Sequence, residues 1–151
     1  MGLPPFQVTY DEGVKVGYKW YDAEKKPVLF PFGYGLSYTS YSYEGLKVTR
    51  GDKVKATFTL ANTGARSGAE IAEVYASLPA SANEPPKRLV GFSKVKLGAG
   101  EKKTVTVEID PKYLSIFDEA KDAWTLLPGE YTILVGGSSQ DLPLKATISI
   151  K

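Results

Sequence analysis

The chain has 151 residues, 42% of them hydrophobic, which suits one domain with its own core. Its 19 basic and 17 acidic residues are interspersed and give a formal net charge of +2, so nucleic acid is not expected as a partner. The absence of cysteine and histidine excludes disulfides, thiolate chemistry, and the commonest general base and metal ligand. No apolar run is long enough to cross a membrane, and we expect a soluble chain without a membrane partner.

Aromatic residues are concentrated at the start of the chain. Residues 1–43 hold 11 of the 18 aromatic residues and show no helical or strand period. The segment Pro31–Thr39 alternates glycine with aromatic residues, which is typical of a junction between folded parts. We therefore divide the chain into an aromatic-rich arm, residues 1–33, and a domain, residues 34–151. The candidate interface residues are Tyr18, Trp20, Tyr21, Phe30, Phe32, Tyr34 and Tyr38.

From about residue 40 the sequence has the pattern of β-strands. Residues 54–60 and 105–109 alternate apolar and polar positions, which predicts half-buried strands, and a slip at Glu44-Gly45 predicts a bulge. Residues 71–78 are apolar on both faces and predict a central strand. Residues 115–117 and 123–126 flank a charged turn and predict a hairpin. Altogether we expect seven or eight strands and no amphipathic helix.

This spacing of short strands and turns predicts an all-β, immunoglobulin-like antiparallel sandwich. The run Leu127–Tyr131 supports it, because a Leu-Pro-Gly turn before a tyrosine resembles the tyrosine corner of immunoglobulin-like and fibronectin type III domains. Tyr131 is therefore assigned a structural role, with the alternative that it is simply an aromatic residue of the core.

Several motifs carry a resemblance to a known family. The runs Glu12–Asp22 and Pro31–Thr39 resemble the C-terminal junction of glycoside hydrolase family 3 enzymes. Further runs match the fibronectin type III-like domain of that family in the same order: Asn62–Gly64, Gly68–Glu70, Pro85–Phe92, Pro128–Tyr131 and Val135–Ser139. The resemblance covers nearly the whole chain after Met1-Gly2, two residues that resemble an expression remnant.

The resemblance implies a parent enzyme that is a β-glucosidase, β-xylosidase or other retaining, exo-acting β-glycosidase, extracellular or periplasmic. In that family the catalytic carboxylates lie in domains upstream of this one, so no residue here inherits a catalytic role. Independently, retaining hydrolysis needs two carboxyl groups about 5 to 5.5 Å apart in a pocket. The 17 carboxylates here mostly occupy predicted solvent-facing positions or turns. We therefore expect no catalysis by the isolated chain, no cofactor and no metal site.

Two interpretations of the aromatic arm remain open. In the first, the rings are buried between this domain and the catalytic domains of the same parent chain, and the chain is a non-catalytic accessory domain that stabilises them. Valines and leucines mixed among the rings favour this interpretation, and a fragment would then fold the arm back on itself or self-associate. In the second, the rings form a platform for a polysaccharide or lignin.

Overall fold

The computed structural model describes residues 8–151, so the expectation for Met1-Gly2 lies outside the described residues. Within that range one short helix, α1 (Tyr18–Ala23), precedes nine strands. The strands are β1 (Tyr41–Arg50), β2 (Val54–Asn62), β3 (Gly68–Ser77), β4 (Arg88–Leu97), β5 (Lys102–Ile109), β6 (Ile116–Asp118), β7 (Ala123–Thr125), β8 (Gly129–Gly136) and β9 (Leu144–Ile150).

Two antiparallel sheets pack face to face. One has three strands in the order β1-β2-β5, and the other has four in the order β4-β3-β8-β9. The short strands β6 and β7 form a separate hairpin. The predicted all-β sandwich is confirmed. Residues 8–151 form nine strands where seven or eight were expected, seven of them in the two sheets and two in the hairpin.

The core lies between the two sheets. Alternate residues of β2 from Val54 to Leu60 are buried there. Alternate residues of β5 from Val105 to Ile109 lie beside them in the same sheet and are buried too. On the opposite sheet Val74 of β3 and Ile133 of β8 belong to the same cluster. The period-two patterns of β2 and β5 therefore predicted the buried faces correctly, because one face of each strand must leave water.

The predicted bulge in β1 is confirmed. The pairing of β1 with β2 shifts register between Glu44 and Lys47. Gly45, inside the shift, has φ 67°, a conformation that glycine adopts without steric penalty.

The expectation that the arm lacks helical structure is wrong at one place. Residues 18–23 form α1, which follows Gly17 (φ 59°) and ends before Glu24. Six residues are too few to show a helical period in the sequence, and so short a helix is marginal without tertiary contacts. Its formation therefore depends on contacts with the sandwich.

Candidate functional site: the docked arm

The arm covers part of the outer face of the four-stranded sheet. Since side chains alternate along a strand, and Val74 of β3 faces the core, its neighbours Glu73 and Tyr75 face outward. Both are nevertheless buried, Glu73 being only 6% exposed. Buried side chains on the outer face of a sheet must be covered by another part of the chain. Here the arm covers Glu73 and Tyr75.

Tyr18 of α1 makes the central contact with the sheet. Its ring packs edge-on against Tyr75, with 5.8 Å between centroids, and lies 5.2 Å from the ring of Phe32. The Tyr18 hydroxyl accepts a hydrogen bond of 2.7 Å from the backbone N–H of Leu89 in β4. Burial raises the pKa of Tyr18, and the Leu89 N–H partly opposes that rise. Tyr18 therefore joins α1 to two strands of the sheet.

An ion pair fixes the other end of α1. Asp22 accepts a hydrogen bond of 2.6 Å from the ammonium group of Lys87, just before β4. The two side chains are 10% and 14% exposed, so water screens this pair far less than a surface pair. Tyr18 and Asp22 lie one helical turn apart, which places both on the face of α1 that meets the sandwich.

A tight turn after α1 forms the next contact. Residues 31–34 close the turn through a hydrogen bond of 3.0 Å from the Tyr34 N–H to the Pro31 carbonyl. The Phe32 carbonyl accepts a hydrogen bond of 2.8 Å from the Ser139 N–H, beyond β8. Gly33 has φ 84°, and a Cβ there would collide with the Glu73 carboxylate. The backbone of Gly33 therefore lies directly on that carboxylate.

Two glutamates of β3 are held by tyrosine hydroxyls. Tyr43 donates a hydrogen bond of 2.7 Å to Glu70, and Tyr75 donates one of 2.6 Å to Glu73. Burial is the main cause that raises the pKa of both carboxyl groups, and the tyrosine hydrogen bonds oppose the rise. Burial also raises the pKa of Tyr43 and Tyr75.

Glu73, which is buried, and Glu70, which is partly buried, are exceptions to the expectation that carboxylates mostly lie at solvent-facing positions or in turns. Glu73 stands inside residues 71–78, which the sequence predicts as a central strand apolar on both faces. A single acidic residue within an apolar strand was the signal in the sequence that could have identified this site. A carboxylate on the covered face of a central strand needs a hydrogen-bond donor placed beside it.

The arm presents other aromatic rings to solvent. Phe30 and Tyr34 stack on each other with 5.3 Å between centroids and remain exposed. Trp20 and Tyr21 meet edge to face at 5.1 Å, and Tyr38 is 92% exposed. Of the seven candidate residues, Tyr18 and Phe32 thus contact each other beside the sheet, while the other five lie on the outer side of the arm or at its exit.

A recess opens at the surface of the arm. It has a volume of about 500 Å³ and lies between α1 and residues 27–32, with Ser139 and Gln140 on the sandwich side. Four of the candidate residues line it: Tyr18, Tyr21, Phe30 and Phe32. The structure therefore brings these four rings around one apolar depression.

Tyr131 lies away from the arm. Its ring is buried in the core, and its hydroxyl donates a hydrogen bond of 2.8 Å to the Leu127 carbonyl, four residues earlier. This is the contact that a tyrosine corner makes. Residues 8–151 contain no group of three or more acidic side chains placed to hold a metal ion, and no helix in that range is long and apolar enough to cross a membrane.

Comparisons with known proteins agree with this architecture. Residues 70–139 match the family model of the fibronectin type III-like domain. A putative β-glucosidase of Schizosaccharomyces pombe is 44% identical over 145 residues, which are 94% of this chain and 17% of that protein. The solved structure of a β-glucosidase from Streptomyces venezuelae, in complex with D-glucose, superposes with a TM-score of 0.89. It is 42% identical, and the match covers 93% of this chain and 18% of that one.

A second solved structure, the family 3 β-glucosidase of Bifidobacterium adolescentis, has a TM-score of 0.87 and 37% identity. That match covers 92% of this chain and 21% of the other. The chain therefore spans about a fifth of the length of these relatives. Residues 70–139 thus match the fibronectin type III-like domain, and the arm together with the sandwich is similar to one part of these longer β-glucosidases.

Proposed function

We propose that this chain is the C-terminal, non-catalytic accessory domain of a retaining, exo-acting β-glycosidase and stabilises the catalytic domains of the same parent chain. Its relatives are named β-glucosidases and are about five times longer, which leaves room for separate catalytic domains. By the same resemblance the parent enzyme is extracellular or periplasmic.

The observation that carries this proposal is the two-sided character of the arm. On the inner side Tyr18, Asp22 and the turn at Gly33 make specific contacts with the sandwich. On the outer side the stacked rings of Phe30 and Tyr34 stay exposed, although both rings are large and mainly apolar. Further exposed apolar residues follow on both sides of that pair: Leu29, Leu36 and Tyr38. Adjacent exposed apolar groups of this kind mark an interaction surface.

The same contacts support dividing the chain into an arm, residues 1–33, and a domain, residues 34–151. The core residues lie between Val54 and Ile150, so the sandwich does not need the arm to complete its interior. In the parent enzyme the arm then connects this domain to the preceding one, and its outer rings are buried between them. In the isolated chain the same rings favour self-association.

The polysaccharide platform is less consistent with the ring geometry. A sugar stacks on flat rings that share a plane, whereas Trp20 and Tyr21 meet at 86°. Tyr18 is held edge-on against Tyr75, and its hydroxyl accepts the Leu89 N–H. A pull-down of the chain on cellulose, xylan or lignin tests the platform directly. Binding by the unchanged chain that is lost in Trp20→Ala would favour the platform over our proposal.

The proposal itself is tested by association in two pieces. The chain is mixed with the remaining part of a family 3 β-glucosidase that lacks this domain, and the dissociation constant is measured by calorimetry. We expect binding, and we expect the double variant Phe30→Ser/Tyr34→Ser to weaken it about 30-fold or more, because buried aromatic anchors contribute about 2 kcal/mol or more.

The matched control is Phe117→Ser in the β6–β7 hairpin. Phe117 is also exposed and packs edge-on against Trp124, but it lies outside the arm. We expect this variant to bind as the unchanged chain does. No binding by the unchanged chain, or equal losses in the two variants, would contradict the proposed role of the arm.

A further inference from the structure

Glu73 is a buried carboxylate on the face of β3 that the arm covers. It is 6% exposed, and the turn at Gly33 lies on it. One of its oxygens, Oε2, accepts the hydrogen bond from Tyr75. Among residues 8–151 no ion pair includes Glu73, whereas Asp22, Glu84 and Glu108 each have a lysine or arginine partner.

The groups that face Glu73 do not compensate a negative charge. From its own strand these are the Tyr75 hydroxyl and the carboxyl of Glu70. The phenols of Tyr18 in α1 and Tyr43 in β1 also interact with the charge of Glu73, and the Asp141 carboxylate, beyond β8, adds a further negative charge near Glu70. A buried charge with a single neutral donor is costly, and the cost falls when the carboxyl takes up a proton.

We propose that Glu73 is a proton-controlled latch for the arm, which docks more firmly on β3 when this carboxyl is protonated than when it is ionised. The arm supplies the burial, since Gly33 lies on the carboxylate and Tyr18 covers the adjacent Tyr75. When the arm leaves the sheet, the carboxylate regains water and its ionised form is no longer penalised.

The direction of the pH effect follows from linkage. Burial under the docked arm raises the pKa of Glu73, the neighbouring charge of Glu70 raises it further, and the Tyr75 hydrogen bond opposes both. The docked state therefore binds the proton more tightly than the undocked state. This contribution to docking is complete below the pKa of the undocked carboxyl and is lost as the pH rises through the pKa of the docked one.

The latch regulates the docking of the arm that carries the proposed interaction surface. To that extent this inference rests on the proposed function. Its test uses this chain alone, without any other part of an enzyme. Failure of the two-piece association would therefore leave the latch intact, and failure of the latch would leave the association intact.

Two backbone amides report on docking directly. The Leu89 N–H is hydrogen-bonded to the Tyr18 hydroxyl, and the Ser139 N–H to the Phe32 carbonyl. Hydrogen exchange of both is followed by NMR between pH 4 and 8, and rates are divided by the intrinsic rate at each pH. We expect protection at both amides to rise severalfold as the pH falls, while the core amide of Val107 shows no parallel rise.

Three variants separate Glu73 from its neighbours. Glu73→Gln, which is neutral and keeps an acceptor for Tyr75, is expected to show strong, pH-independent protection. Glu70→Gln should retain the pH dependence. Tyr75→Phe removes a donor that favours the ionised form, so the transition should move to higher pH. Protection that does not change with pH in the unchanged chain, or a pH dependence that survives in Glu73→Gln, would overturn the latch.

Discussion

At the scale of single residues, the two glycines of the segment Pro31–Thr39 differ in whether the position requires glycine. Gly33 has φ 84° and no room for a side chain above Glu73. Gly35, two positions later, does not have positive φ, and no atom lies within 4 Å of the place where its Cβ would stand. The alternation of glycine and aromatic residues predicts a junction, but it does not tell these two positions apart, because the difference arises from β3.

We therefore expect Gly33→Ala to release the arm and Gly35→Ala to leave it docked. The first change combines a strained backbone with a collision against the Glu73 carboxylate, whereas the second meets neither. Limited proteolysis measures the difference: residues 24–34 should be cut at least several times faster in Gly33→Ala. Equal cleavage of the two variants would show that the turn does not hold the arm.

At the scale of elements, the sequence predicts what repeats and misses what depends on distant contacts. The strands β2 and β5 follow from alternation alone, since each needs only one buried face. The helix α1 does not, because its six residues carry no period and its stability comes from Leu89 and Lys87, far away in the chain. The hairpin β6–β7 was predicted from the charged turn between its strands.

The dependence of α1 on its ion pair can be measured. We expect Asp22→Asn to lower the free energy of unfolding, or of arm undocking where the two separate, by about 1–2 kcal/mol, because Lys87 keeps its charge in a nearly buried position. The matched control is Glu24→Gln, which breaks the exposed pair with Lys15 and should cost well under about 1 kcal/mol. Urea denaturation followed by Trp20 fluorescence, in a Trp124→Phe background, gives both values. Similar losses in the two variants would contradict this.

At the scale of the whole molecule, the sandwich and the candidate site differ in how far the sequence predicts them. The sandwich, its bulge and the aromatic character of the arm are visible in local patterns. The division of those rings into inner and outer sets is not, because it depends on which strand lies under each ring. For the same reason the sequence does not reveal the burial of Glu73. Its neighbours in sequence are apolar, but the residue that buries it, Gly33, lies forty positions earlier.

Removal of the arm tests whether the sandwich is an independent unit. A chain that starts at Tyr34 keeps every core residue, and we expect it to fold. It also uncovers Tyr75 and Glu73, so we expect its melting temperature to fall by about 5–10 °C, as a loss of roughly 2 kcal/mol does in a domain of this size. Scanning calorimetry measures this. A chain that fails to fold, or one with an unchanged melting temperature, would contradict the proposed boundary.

The irregularity of β1 has a consequence for solubility. β1 is an edge strand, and unpaired edge strands invite further strands to add, which leads to aggregation. The register shift between Glu44 and Lys47 interrupts the row of free backbone groups along that edge. A second copy thus finds no continuous ladder there to extend. Contacts between copies along this edge are therefore left to side chains, a reversible mode of association that dilution can undo.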